Sequence, residues 1–436
     1  MTAIVGVSPG QHARTRSVPR AGWRSRLEGA STPRRLGLLL ALLVLLSVVW
    51  GVLAALTANQ HASAAADVVA VSEPLSLDAE QIYTSLSDAD ATAANAFLAG
   101  GLEPAAARQR YQADITQAAI RIQAASALAG AAGGSAIGDD LATLSGQLPV
   151  YTDEVGTARA NNRLGLPLGA AYLREASALL RGTLLPAASD IYARESALLT
   201  SASAQATGLP LMVIAVVVGL GFGYLLYRSS RWLAGHTHRV VNYGLLLAAL
   251  AGLVSLVWLA GAFVVGRGDL LHAQQQGSGP AQAYARAEVA ALQMHADESL
   301  TLIDNSGDDA YQQDYLKEQK LLGPGPGTLL AATGNGSIAG DAQAWYQAHA
   351  ALRKQDDGGN HPGAVASALT GDAAAKFGQL FTALNDGIDA HQTVFASSAR
   401  GGRDAFTGLA AGMILASLVM IAGCAWGLSR RLAEYR

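Results

Sequence analysis

Four long apolar runs divide the chain, and the polar stretches between them repeat apolar residues at helical spacing. Leu36 to Leu56, Leu209 to Tyr227, Asn242 to Val265 and Phe406 to Leu428 contain no Asp, Glu, Lys or Arg. At about 1.5 Å of rise per residue, each is long enough to cross a hydrocarbon core of roughly 30 Å. The pattern therefore predicts transmembrane helices at 36–57, 208–227, 242–266 and 405–428. The first run is longer than the roughly 7–15 apolar residues of a secretory signal, so it is read as an uncleaved anchor despite the small residues near Ala64.

The stretches 58–207 and 267–404 change to a period of three to four. In the first, Ile82, Leu86, Ala93 and Phe97 share one helix face that ends at Gly100-Gly101. A second helix opens at Pro104, with Tyr111, Ile115, Ala118 and Ile122. A third carries Leu141, Leu144, Leu148, Tyr151 and Val155, with Asp139 or Asp140 as its cap and a kink at Pro149. The fourth carries Tyr172, Ala176, Leu180, Leu184 and Ile191, with a bend at Pro186. The second stretch repeats the plan through Val289, Leu292, Ala296 and Leu300, then Tyr311 and Tyr315, then Trp345, His349 and Leu352, then Phe377 to Phe395. The expected fold is all-α, four transmembrane helices with two extracytoplasmic helical bundles.

Composition agrees with membrane insertion: 51% of residues are hydrophobic and 14% charged. The formal net charge of -3 conceals a division by side. Residues 1–35, 228–241 and 429–436 together hold thirteen basic and two acidic residues, whereas the two long stretches are each net -7. By the positive-inside rule the three basic segments face the cytoplasm and both acidic stretches lie outside. That predicts a multi-pass protein of the plasma (inner) membrane with both termini cytoplasmic, a disordered basic tail at 1–35, a basic turn at 228–241 and a short tail at 429–436. The one cysteine, Cys424, lies within the fourth run, so no intrachain disulfide can hold the outer parts.

No HExxH, GxxxxGK[ST], GxSxG or Cys/His cluster occurs, and the cytoplasmic segments are too short for a kinase or cyclase domain. No catalytic residue, metal site, cofactor or nucleic-acid partner is expected, and any output must come from another polypeptide. The uncharged spans argue against an ion-coupled transporter. Gly219/Gly223, Ala248/Gly252 and Gly408/Gly412 have the spacing of close helix contacts, and a homo-oligomer is compatible with that pattern. Asp304 to Asp309 lacks the spacing of a calcium loop and reads as a polar turn.

Candidate contacts are few. Arg159, Asn162 and Arg163 can grip a carboxylate on a ligand or partner, or simply end a helix with cations. Asp297 and Glu298, beside His295, pose the same choice. On the cytoplasmic side Arg228, Arg231, Trp232 and Arg239 are the candidate partner surface, because the turn joins the two central spans; His236 and His238 there lack further metal ligands.

Arginine outnumbers lysine 26 to 4, and NNRLGLPLGAAYLREAS, HADESLTLID and WYQAH followed by DDGG stand in the outer stretches. On these segments and on its plan of spans, the chain resembles the four-span GlnX-type membrane proteins of actinobacteria. The resemblance implies a coupler between an extracytoplasmic solute-binding lipoprotein, of the amino-acid-binding type, and a cytoplasmic serine/threonine kinase or its adaptor. Two other readings stay open, a receptor that binds an amino acid directly and a structural or transport accessory protein.

Overall fold

The computed structural model describes residues 32–132, 135–208, 210–237, 242–304 and 309–433. It is 92% helical and contains no strand among the described residues. The helices are α1 (Thr32–Asp67), α2 (Glu73–Leu98), α3 (Ala105–Ala132), α4 (Ser135–Arg163), α5 (Leu168–Leu179), α6 (Leu185–Thr207), α7 (Pro210–Thr237) and α8 (Tyr243–His272). They continue with α9 (Gly279–Asp304), α10 (Ala310–Leu322), α11 (Leu329–Thr333), α12 (Gly336–Asp357), α13 (His361–Leu369), α14 (Asp372–Ala405) and α15 (Leu409–Ala433). Three wider, π-helical turns join consecutive helices without a break: Val68–Ser72, Leu180–Leu184 and Ala273–Ser278. Four helices are long and apolar enough to cross a membrane.

The chain divides into two compact units. One comprises residues 1–53, 215–256 and 412–436. Its helices turn Leu38, Leu45, Val217, Leu220, Leu250, Leu253, Leu415 and Leu418 outward, as lipid-facing helices do, and bury Leu43, Trp50, Phe222 and Met420. With no water to satisfy them, buried polar groups must bond internally. Trp50 Nε1 donates to Ser255 Oγ at 3.2 Å, and Ser417 Oγ donates to the Ser47 carbonyl at 2.9 Å. Gly219 lies beneath the Trp50 ring, and Gly244 meets the backbone of Gly423 and Gly427, so a Cβ at either position would clash. Of the expected pairs, Ala248/Gly252 makes close contacts, Ala248 with Gly423 and Gly252 with Phe222 and Met420, whereas the other two pairs each have a member that does not. Gly223 faces open space, and Gly408, at φ +74°, sits in the turn before α15, where its freedom breaks the helix.

The other unit comprises residues 54–214 and 257–411. It takes in both stretches that periodicity separates into two bundles, and they share one interior. Leu300 of α9 lies in the core formed by Ile82, Leu86, Leu144, Tyr151, Leu173 and Leu184, while Ala91 of α2 lies among Leu292, Met294, Tyr315, Trp345 and Leu380. The physical reason is that α2 and α9 pack directly on each other, and the alanines along both, including Ala89, Ala93, Ala94, Ala287, Ala290 and Ala291, bury other faces as well. A stripe of large apolar residues reports one face of a helix; alanine on the remaining faces permits a second close neighbour.

Local details follow the chain. Gly100 and Gly101, at φ +66° and +57°, end α2. Asn335 and Asn360 cap α12 and α13, accepting from the Ser337 and Gly363 amides at 3.1 and 3.2 Å. Asp139 and Asp140 lie inside α4 rather than at its cap, and α4 runs on through Pro149. At Pro186 the expected irregularity takes the form of the π-helical turn Leu180–Leu184 just before it. Asp304 pairs with Arg174, and residues 305–308 of that polar turn lie outside the described residues.

Candidate functional site

Helix α9 is buried on nearly every side: 18 of its 26 residues are inside, among them Glu288, His295, Asp297, Glu298, Ser299 and Thr301. A charge in such a place is tolerated only when paired. Glu298 meets His349 of α12, Nδ1 to Oε2 at 2.8 Å, and lies 3.6 Å from His295 Nδ1. Burial pushes the Glu298 carboxyl up, but His295 and His349 outweigh it and hold it down at about 2. The His349 ring stacks on Tyr315 at 3.7 Å, and its Nε2 lies 3.2 Å from Gln312 Oε1. His295 stacks on Phe377 at 4.0 Å and reaches Asn95 at 3.3 Å. These contacts enclose Glu298 within the protein.

Asp297, one residue earlier, points to a different neighbour. Arg181, in the π-helical turn before α6, donates through Nη1 to Asp297, and its Nε lies 3.4 Å from Asp90 Oδ2 of α2. Ser177 Oγ holds the other Asp90 oxygen at 2.6 Å. Both carboxylates are buried, Asp90 at 4% and Asp297 at 1% exposure, and Arg181 is at 24%. Burial holds the Asp297 carboxyl above its usual range, against the pull of Arg181. The third guanidinium nitrogen, Nη2, is buried and has no hydrogen-bond partner.

Arg181 and Asp297 form the inner wall of a cleft of about 430 Å³, closed by Tyr83 of α2, Ser189 of α6, Gln293 of α9, and Asp314, Lys317 and Glu318 of α10. An adjoining lobe of about 300 Å³ shares Tyr83, Ser189, Gln293 and Glu318 and adds Glu80, Tyr192 and Arg286. Glu80 is pushed up to about 8 by burial and then by the neighbouring Glu288, which burial itself raises to about 7. Gln392 lies 3.4 Å from Glu80 and Asn385 donates to Glu288 at 2.9 Å.

The residues singled out by sequence do not gather into one site. Arg159 faces Glu103 at 3.0 Å and lies 4.0 Å over the Tyr111 ring, while Asn162 Nδ2 donates to the Phe97 carbonyl at 3.0 Å. Arg159 ties α4 to α3 and the turn before it, and Asn162 ties α4 to the end of α2. Arg163 is exposed in the last turn of α4. On α7, Arg228 and Arg231 are exposed, Arg231 reaching the Tyr227 hydroxyl at 3.1 Å, and Trp232 is half-buried; Arg239 lies outside the described residues. Asp297 belongs to the Arg181 cluster, and Glu298 to the His349 cluster.

The helices and the π-helical turn that supply Asp90, Arg159 and Arg181 also carry the likeness to known proteins. Residues 64–204 match the actinobacterial sensor domain family. No curated protein and no solved structure matches the chain. The matched segment runs from the end of α1 into α6, so it supplies Tyr83, Arg181 and Ser189 to the cleft, while Gln293, Asp297 and the α10 residues come from beyond it. The segment similar to that family thus lies in the helical unit rich in buried charge, in a chain with four helices long and apolar enough to cross a membrane.

Arg181, Asp90 and Glu318 have signals in the sequence that periodicity does not weigh. Arg181 interrupts LLRGTLLP, Asp90 borders the apolar stripe of α2, and Glu318 falls on the face of α10 that carries Tyr311 and Tyr315. A charge inside an apolar stripe needs a partner on another helix, but the stripe does not say which.

Proposed function

We propose that this chain is a plasma-membrane signalling protein, with both termini cytoplasmic, that receives its stimulus at the outer helical unit and relays it to a separate cytoplasmic protein, without catalysis of its own. The observation that carries the reading is the match of residues 64–204 to a sensor family, in a chain whose helices run without a break from an apolar run into the sensor core, Thr32–Leu98 and Tyr243–Asp304. A packed helix moves its far end with its near end, which gives such a relay a mechanical basis. The resemblance to GlnX-type proteins supports the choice of partners, a solute-binding lipoprotein of the amino-acid-binding type outside and a serine/threonine kinase or its adaptor inside. The contact points, Arg163 and the surface of Arg228, Arg231 and Trp232, rest on their exposure and position in this chain and not on the resemblance.

The test is photo-crosslinking in intact membranes from position 163 and from position 231, followed by mass spectrometry. Capture of a solute-binding lipoprotein at the first and a kinase or its adaptor at the second supports the coupler. Capture of neither sinks it. Direct sensing is the second reading, favoured by the two-signed cleft around Arg181.

A further inference from the structure

We propose that the cleft walled by α2, α6, α9 and α10 is a binding site for a small zwitterion carrying one primary ammonium and one carboxylate. The inference rests on the sensing reading and gives it a ligand class. Three features point to it. First, the cleft is a formed cavity of about 430 Å³ with a further lobe of about 300 Å³, in the size range of roughly 300–1,000 Å³ typical of small-molecule sites.

Second, its wall carries both signs. Arg181, Lys317 and Arg286 face the same space as Asp314 and Glu318. A monoanion entering here meets the acids, and a monocation meets the arginines and Lys317. A dipolar molecule is the one class that places each of its charges against an opposite one.

Third, the cations are not used up. Arg181 spends Nε on Asp90 and Nη1 on Asp297, leaving Nη2 buried without an acceptor. An unfilled, desolvated guanidinium donor is costly, and a ligand carboxylate supplies the missing acceptor in the geometry arginine favours. The ammonium then falls to Glu318 and Asp314 across the cleft, with the Tyr83 and Gln293 side chains as neutral hydrogen-bonding groups between. The π-helical turn at Leu180–Leu184 sets Arg181 at this spot, and such turns recur at functional positions.

The test uses the full-length chain in lipid nanodiscs, equilibrium binding and thermal shift, and a panel of the twenty common amino acids with propionate and propylamine as single-charge controls. At least one amino acid should bind saturably and at least tenfold more tightly than either control. Lys317→Gln and Glu318→Gln, both on the outer wall of the cleft where folding does not depend on them as it does on Arg181, should each weaken binding about tenfold. The inference is overturned if no amino acid binds, if a control binds as tightly as the best amino acid, or if both variants bind like the wild type. The crosslinking outcome at position 231 is independent of these readouts. Failure of the wild type to bind any amino acid, with kinase capture intact, therefore removes the ligand class alone, whereas binding without capture removes the relay.

Discussion

Arg159 and Arg181 are both arginines of the sensor-matched segment, both largely buried and both beside carboxylates, yet they do different work. Arg159 lies over the Tyr111 ring of α3 and faces a single acid, Glu103, in the turn between α2 and α3. Arg181 bridges two acids from two different helices, Asp90 and Asp297, and its side chain lines a cleft. Both keep buried guanidinium nitrogens without a hydrogen-bond partner, Nε and Nη2 of Arg159 and Nη2 of Arg181, so what separates them is place: Arg181 lines a cleft walled by charges of both signs, and Arg159 does not.

The comparison breaks most visibly if Arg181 is removed. Arg181→Met leaves two buried carboxylates facing each other without a cation, and loss of one partner from a buried pair costs about 3–5 kcal/mol. Equilibrium unfolding of the reconstituted chain should show that loss; a change under about 1 kcal/mol would mean that Arg181 is solvated rather than bridging. Arg159→Met removes one ion pair and one cation–π contact, and should cost about 1–2 kcal/mol by the same measurement. Equal costs at the two positions would erase the distinction.

Protonation gives a smaller, graded effect. Glu80 and Glu288 have raised values, to about 8 and about 7, so the folded chain holds their protons more tightly than the unfolded one. Their stabilising share is complete below the ordinary glutamate value and is lost as pH rises through the folded values. The chain should therefore melt at a higher temperature at about pH 6 than at about pH 9, and Glu80→Gln should flatten part of that slope. Glu298, held down at about 2, keeps its contribution across that window and loses it only in strong acid. A melting temperature that rises with pH in the window, or a Glu80→Gln slope equal to the wild type, would contradict the burial of Glu80. The smallest effect is expected at Arg163, exposed at the end of α4. Arg163→Ala should change stability by no more than about 0.5 kcal/mol while reducing crosslinking to an outside partner, and unchanged crosslinking would remove that residue from the contact.

Much of the fold is legible in the sequence because apolar runs and apolar stripes state directly what each segment must bury. The four spans and the long faces of α2, α4, α9 and α14 follow from Leu43, Ile82, Leu144, Leu292 and Leu384 and their repeats. What periodicity does not carry is the choice of neighbour. Nothing in the stripe of α9 says that its opposite face, built from alanine and from Asp297 and Glu298, is buried as well, so the two outer stretches read as separate bundles. The site was legible in fragments for the same reason. Asp297 stands out as an acid beside His295, but its partner lies 116 positions away in the chain, and only the packing of the helices brings Arg181, Asp90 and Asp297 together.

The account's central claim is that a change in the outer helical unit reaches the cytoplasmic face. The direct measurement is crosslinking yield from position 231 to the cytoplasmic partner, in membranes, for the wild type and for Glu318→Gln in the outer cleft. The account predicts capture of a kinase or its adaptor by the wild type, with a yield that the outer substitution alters. Equal yields from the two proteins would contradict a relay between the outer unit and that face.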